Sequence, residues 1–459
     1  MSTIHELTVE GAPGDIITFD PVRLAGALHI DDPSRLAVET DGMHRALVTI
    51  YPADPLAHVR LDDPGLLMMD RHGRLPVGRY HNGRLTRMRL YDPHTGSAQR
   101  SFLFGTTGAG KSTANHILLA GEKRSGVITF LADLKGGQSV PEARGNVDWF
   151  VRTPQGAMAQ LRTAWLVMHE LQDIYAGMGR SKFLINQPYR LLSVRIDEAN
   201  RLLEKGSPYR AEATFYIRDL GRTGRSLGIG IHLSAQASQL DELGGSDTLR
   251  SMLKDGDVVL LRWTSSMMRQ IVTDGLLPAG RTPAPIPKYA GSLRLVSQFD
   301  DEADDEDLPS TAGGGYLLTG PRPVSRMRFF TVGSSMPTAG LDPDILSLYG
   351  DGPVAGLDAS LHKAAGDAYD GRLDGPEAMA AIFPSTGPDA PATAHGAAPA
   401  AMPSGRALTL ADRVTAVLEN ADGPMDARAV LEAVNADGGR TVRLGSVRNT
   451  LTTLTTLKS

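Results

Sequence analysis

Short apolar runs alternate with longer stretches of helical period through the middle of the chain. Residues 101–104, 126–131, 191–196, 229–234 and 257–263 are strand candidates, and residues 113–123 and 155–175 are helical patterns lying between them. Strands and helices alternating at this spacing predict a mostly parallel sheet covered on both faces, an α/β body over residues 76–340. Residues 1–75 mix short apolar runs with turn signals and predict a small α+β module. Its clearest strand is 46–51, which is β-branched and ended by Pro52.

Past the body the pattern fades and then returns. Residues 341–407 are rich in Ala, Gly, Pro and Asp and predict a flexible linker, with helical character only near 358–368. Residues 408–459 are periodic again. A first helix over 409–418 puts Leu410, Val414, Val417 and Leu418 on one face, and a second over 425–434 offers Ala429, Val430 and Leu431. Ser446 caps a third, which carries Val447, Leu451, Leu454 and Leu457 inward. This is a helix-turn-helix layout, winged-helix-like but without room for the wing strands before Ser459.

Composition narrows the chemistry. The 459 residues include no cysteine, which excludes disulfides, thiol catalysis and cysteine-bound metal. No run of 18 apolar residues predicts a membrane-spanning helix, and no secretory signal opens the chain. These features predict a cytoplasmic protein. The net charge of −5 argues against a uniformly basic nucleic-acid binder. However, Asp300–Asp307 holds seven acids in eight residues, more than the whole net charge; it reads as a solvated loop, with a DNA-mimicking gate as the alternative.

The sharpest chemical signal is the loop between the strand at 101–104 and the helix after it. Gly105, Thr106, Thr107, Gly108, Ala109, Gly110, Lys111 and Ser112 fit G-x-x-x-x-G-K-[ST], with Thr113 continuing into the helix. The chemistry requires this layout. Glycines let backbone N–H groups turn inward around phosphates, and the helix N-terminus adds positive potential. Lys111 then reaches the β- and γ-phosphates of ATP, and Ser112 offers a hydroxyl to Mg²⁺. The strand at 191–196 leads to Asp197 and Glu198. Asp197 would bind Mg²⁺ and Glu198 would orient or deprotonate the attacking water. Arg195 is a charge inside that apolar run and needs an acid on a neighbouring helix. Gln236 ends the 229–234 strand, where an amide can bond the γ-phosphate or the lytic water. His232 within that strand reads as a packed core histidine. Arg222 and Arg225, beside glycines just before it, are candidates for a finger acting on a neighbouring subunit, and Arg269 competes with them.

The block from Arg225 to Gln236, RSLGIGIHLSAQ, is similar to the "R-A-x-G-I-H-L-x-x-A-T-Q" stretch of FtsK/SpoIIIE motors, with Ala235 where the family has Thr. Asp133 and Lys135 match that family's "D-P-K" segment, with Leu134 replacing the proline. Leu75-Pro-Val-Gly-Arg79 resembles its lead-in, and Gly313-Gly-Gly-Tyr-Leu-Leu318 its final motor strand. The resemblance implies a RecA-like P-loop NTPase that assembles as a hexamer around double-stranded DNA, with ATP sites between subunits. It implies that Lys111, Asp197, Glu198 and Gln236 serve hydrolysis. Short members with an appended C-terminal module resemble conjugative plasmid-transfer translocases of mycelial bacteria, which implies a membrane-associated transfer partner and a peripheral place at the membrane.

The third C-terminal helix would show Arg448, Asn449, Thr452, Thr453 and Thr456 outward, and Arg440, Arg443, Arg448 and Lys458 meet no acid between 438 and 459. Arg443, Arg448, Asn449, Thr452 and Thr453 are therefore the expected DNA contacts. A three-helix protein-binding bundle is the alternative for this module. For the whole chain, the alternatives are a type IV coupling or HerA-like motor on single strands, and a nucleotide-switched DNA-binding regulator with little turnover.

Overall fold

A computed structural model of the chain describes residues 3–236, 246–262, 285–290, 310–318 and 324–374, apart from 13 and 42. In the C-terminal part it describes Val414, Val417 and residues 426–436. The chain divides into two compact units, Met1–Asp389 and Ala390–Ser459.

The first unit opens with β1 (His5–Glu10), α1 (Pro21–Ala27), β2 (Leu36–Thr40) and β3 (Arg45–Ile50), an antiparallel sheet in the order β1-β3-β2. Asp20 caps α1 by accepting from the backbone N–H of Val22 and Arg23 at 2.9 and 3.1 Å, and Pro21 opens the first turn. Ala25, Leu36 and Val48 form a small core of their own. Leu56, Val59 and Leu67 instead join the core of the main body. The α+β layer therefore ends near Tyr51, earlier than the expected residue 75. The reason is local: Arg328 donates to the carbonyls of Leu56 and Ala57 at 2.9 and 2.7 Å and stitches that segment to the body.

The body is one large sheet. In chain order its elements are β4 (Arg74–Tyr80), β5 (Leu85–Arg89), a small ribbon of β6 (Tyr91–Asp92) and β7 (Ser97–Ala98), and then β8 (Ser101–Gly105) and α2 (Lys111–Arg124). Next come β9 (Ile128–Asp133), β10 (Trp149–Val151), α3 (Pro154–Gly177), β11 (Leu192–Asp197), α4 (Asn200–Leu203) and α5 (Arg210–Thr223). β12 (Ile229–Ala235), α6 (Asp247–Lys254), β13 (Asp257–Leu261), β14 (Gly314–Leu317) and β15 (Arg326–Phe329) complete it. The strand order is β10-β9-β11-β12-β8-β13-β14-β15-β4-β5. The first six strands are parallel, and each junction from β13 to β5 is antiparallel. Every residue of β9, β11, β12 and β13 is buried, as expected for strands covered on both faces. β5 alternates half-buried and buried, as a strand with one wet face does. This is the mostly parallel, RecA-like P-loop fold with an antiparallel extension.

The helices follow their sequence. Thr153 caps α3 by accepting from Gly156 N–H at 3.2 Å, and Pro154 starts it. Ala157, Leu161, Ala164, Met168, Leu171 and Tyr175 then recur every three or four residues on its buried face. α2 is buried at every position from Ala114 to Glu122, because the sheet covers one side and later chain covers the other.

That later chain corrects the expected linker. Residues 343–373 are not a flexible tether: α7 (Pro343–Tyr349), α8 (Ala359–Ala365), which lies in the expected 358–368 helical stretch, and α9 (Asp367–Asp370) pack on the body. Tyr349 OH lies 2.9 Å from His116 Nδ1 on α2, and Tyr369 OH donates to Asp148 at 2.5 Å. The Ala- and Gly-rich average conceals a few large apolar anchors, Leu348, Tyr349, Leu361 and Tyr369, all of them buried. Residues 375–413 lie outside the described residues. In the second unit, Val414 and Val417 are helical and α10 (Ala427–Ala436) holds Val430 and Val434 buried. The third expected helix, 446–457, lies outside the described residues.

Candidate functional site

The carboxyl ends of the parallel strands form one edge, the place where open α/β sheets bind ligands. β8 delivers the glycine-rich loop to that edge and α2 carries it away. Gly108 and Gly110 have φ of +73° and +98°, which a side chain would strain. At Gly110 space forbids one as well, because a Cβ would lie 2.4 Å from the backbone nitrogen of Gly313. Thr107, Gly108 and Ser112 are exposed, Thr106, Gly110 and Thr113 half-buried and Ala109 buried, so the loop is open on one side. Lys111 Nζ donates to Gly105 O at 2.9 Å, folded back along the loop where phosphates would sit.

β11 brings the acids. Its pairing with β9 sets Asp197 directly beside Asp133. Burial and then the Asp133 charge push the Asp197 carboxyl up to about 6. Asp133 is anchored by the backbone N–H of Lys135, Ser139 and Val140 at 3.0, 2.8 and 3.2 Å. Glu198 follows at φ +53°, a left-handed conformation for a non-glycine residue, and its Oε1 lies 3.5 Å from Lys111 Nζ. Gln236 Nε2 donates to both Glu198 oxygens, at 3.1 and 3.2 Å. Lys111, Glu198 and Gln236 thus come from a loop, a strand end and a neighbouring strand end to one point. The shared edge explains the meeting, since β12 lies between β11 and β8.

Asn115 escaped sequence reasoning. It stands one turn beyond Ser112 on α2, donates to Asp197 Oδ1 at 3.1 Å and accepts from Ser234 Oγ at 3.3 Å. It therefore points the turn that carries Ser112 at Asp197. Its only sequence signal is a polar residue three positions after the motif on a helix that is otherwise buried. The oxygen donors suit Mg²⁺, which takes one or two carboxylates and completes its shell with phosphate oxygens and water. Among the described residues no three acidic or His side chains converge on a point, so a caged metal is not built here. Ser112 and Asp197 are the residues that would hold Mg²⁺ beside a nucleotide.

Arg195 finds the acid that its burial requires. Its Nε and Nη2 donate to Glu122 Oε1 on α2 at 2.9 and 2.6 Å, while Ser193 and Thr129 donate to the same carboxylate at 2.8 and 3.0 Å. This fully satisfied pair ties the P-loop helix to the strand that carries Asp197. His232 is a packed core histidine: Nδ1 lies 2.7 Å from Ser101 Oγ, and burial holds its pKa well below the usual range.

The arginine candidates sit elsewhere. Arg225 lies just before β12 and donates to Ala98 O at 3.1 Å, and Arg222 is exposed in the last turn of α5. Both mark the amino edge of the sheet, one β12 length from the loop, so neither is brought to the P-loop of its own chain. Arg269, the acidic run and Arg443, Arg448, Asn449, Thr452 and Thr453 lie outside the described residues. Among the described residues no helix is long and apolar enough to cross a membrane.

No protein-family profile and no curated protein matches the chain. Solved structures similar to it include the pCW3 conjugation coupling protein TcpA, a monomer form with ATPγS. That match has 17% identity over 71% of this chain and 85% of that one, with a TM-score of 0.45. The cytoplasmic domain of the Thermomonospora curvata type VII secretion ATPase EccC is 18% identical over 74% of this chain but only 35% of its own length, at 0.45. VirB4 of Thermoanaerobacter pseudethanolicus is 11% identical over 58% of this chain and 98% of its own, at 0.33. The P-loop fold itself stands on the strand order and the loop described above.

Proposed function

We propose that the chain is an ATPase that drives DNA transfer, as a hexameric motor of the FtsK/SpoIIIE kind on double-stranded DNA. The observation that carries hydrolysis is the meeting of Lys111, Glu198 and Gln236 at the mouth of the loop. Inward backbone N–H groups of the loop bind the phosphates, and Lys111 leaves Gly105 O and Glu198 for the β- and γ-oxygens. Glu198, freed of that cation, takes a proton from a water that attacks the γ-phosphorus. The water O–P bond forms, the bond to the β–γ bridging oxygen breaks, and ADP departs with that electron pair. Gln236 holds Glu198 until then and afterwards bonds the water. Mg²⁺, held by Ser112 and Asp197, would neutralise charge on the β- and γ-oxygens.

The finer reading rests on the residues from Arg225 to Gln236 and their resemblance to FtsK/SpoIIIE motors. It assigns the site to the interface between subunits, with an arginine supplied in trans. It also assigns the basic C-terminal segment to duplex recognition and places the motor in the cytoplasm, at the membrane of a conjugative transfer system.

The test is phosphate release by the full chain, with Lys111→Ala as the baseline. Duplex DNA, single-stranded DNA and an unstructured polypeptide are supplied in matched amounts. Duplex should stimulate turnover most. Stimulation by single strands alone would favour a coupling-type or HerA-like motor. Tight ATP binding with no turnover above the baseline would favour a nucleotide-switched regulator.

A further inference from the structure

β13 ends beside β8, and the next residue is Arg262, at φ +34°. A non-glycine residue holds that conformation only where its surroundings impose it. Arg262 as a residue is 7% exposed. Nη1 donates to Gly108 O in the phosphate loop at 2.7 Å, Nε to Thr311 Oγ1 at 3.2 Å and Nη2 to Ser310 Oγ at 2.9 Å. These partners are neutral, and no ion pair to a carboxylate is formed among the described residues. A buried cation whose described partners are all neutral is costly to hold, and it lies against a loop built for anions.

A second contact repeats the first one residue later. Gly313 N–H, just before β14, donates to Ala109 O at 2.9 Å. Two successive loop carbonyls, Gly108 and Ala109, are therefore gripped from outside by the ends of β13 and β14. A trans peptide is planar, so its N–H points opposite to its carbonyl. Holding Ala109 O outward turns Gly110 N–H toward the inside of the loop. Holding Gly108 O fixes its own peptide plane, whose Ala109 N–H closes the turn onto Thr106 O at 3.1 Å.

We propose that Arg262 is a positioning residue for the nucleotide. It sets the phosphate loop in its binding shape through Gly108 O and adds a positive charge, paired with no carboxylate among the described residues, that favours ATP over ADP. This rests on the reading of the loop as an ATP site. Arg262 acts in its own chain, from the strand next to β8, and so differs in kind from a finger supplied by a neighbour.

The experiment compares the full chain with Arg262→Gln and Arg262→Lys, measuring ATP and ADP dissociation constants, KM, kcat and the melting midpoint without nucleotide. For Arg262→Gln we expect ATP affinity to fall about tenfold or more, the order of one charge-assisted hydrogen bond. ADP affinity should fall less, and kcat at saturating ATP should stay within about threefold. Arg262→Lys should recover part of the affinity, since it keeps the charge without the fork. ATP binding within about twofold of wild type in a folded Arg262→Gln protein would overturn the proposal. So would equal losses for ATP and ADP with a lowered melting midpoint, the mark of a structural role. Should both variants fail to fold, Ser310→Ala loosens the guanidinium from the side away from the loop. An unchanged ATP-over-ADP ratio there would overturn the proposal equally. A wild-type chain that binds no ATP would instead refute the ATP-site reading, and the two failures are thereby distinguished.

Discussion

The two edges of the six parallel strands each hold a buried carboxylate pushed up to about 6, Asp197 at the carboxyl edge and Asp257 at the amino edge. Burial is the first cause of both shifts, yet their surroundings differ. Asp257 accepts Arg89 N–H at 2.6 Å, and the charges near it are those of Arg89 and Arg74. Its neighbourhood ties β5 to the main sheet. Asp197 faces a second acid, Asp133, and lies near Glu198 and Lys111, under an open loop. The same contrast holds for arginines. At the amino edge Arg100 donates to Gly221 O at 3.2 Å and lies 3.7 Å from Asp255, while at the carboxyl edge the described partners of Arg262 are neutral. A perturbed group marks a site only when its neighbours leave a charge to be answered from outside.

The largest effect we expect would extend that contrast across a subunit boundary. Arg225 lies at the amino edge, roughly 20 Å from the loop by the rise of β12, so the finger role proposed for it requires a neighbour's site. Arg225→Ala should lower turnover by about 10³–10⁵, as loss of a finger does. Mixing it with Lys111→Ala should restore activity in part, since some interfaces then join an intact loop to an intact arginine. No recovery in demonstrated mixed rings would leave Arg225 as a residue that only holds Ala98 O, and Arg222→Ala and Arg269→Ala would be tried in its place.

A smaller effect concerns the spine between the edges. Arg195→Met strands the Glu122 carboxylate in the core and should cost about 3–5 kcal/mol in urea unfolding. Adding Glu122→Leu should return most of it. Additive losses would show that the two residues do not act as a pair.

The smallest expected effect breaks the comparison most cleanly. Each carboxyl is pushed up to about 6 in the fold, against 3.8 for a free aspartate. The folded state thus carries more protons between those values, and stability falls as pH rises through them. At pH 7.5 Asp197→Asn and Asp257→Asn should therefore each stabilise the nucleotide-free protein, by roughly 1–3 kcal/mol. They should part in function: Asp197→Asn loses ATP turnover and Asp257→Asn keeps it. Equal loss of turnover at both positions would erase the distinction between the edges.

What the sequence discloses here is what the chain keeps contiguous. Gly105 to Ser112, the apolar runs of β8 to β13 and the acids ending β11 could all be read, because local pattern and local chemistry coincide there. Arg195 announced a partner by being a charge in an apolar strand, though not that the partner would be Glu122. The contacts of Arg262, Gly313 and Asn115 with the site are not legible. Arg262 meets Gly108 only because β13 enters the sheet next to β8, more than 150 residues later in the chain. Helical character near 358–368 is legible, but the helix at 343–349 and the packing of the whole stretch are not, since average composition hides Leu348, Tyr349, Leu361 and Tyr369 among alanines and glycines.

The central claim is that the carboxyl edge hydrolyses ATP with Glu198 as base. The most direct measurement is the nucleotide held by Glu198→Gln after incubation with Mg²⁺ and ATP, separated from free nucleotide and identified after acid quench. The amide keeps the size of the side chain and cannot take the proton, so the variant should retain ATP while turnover falls by about 10²–10⁴. Recovery of ADP formed at the wild-type rate, or of no bound nucleotide in a protein that remains folded, would contradict it.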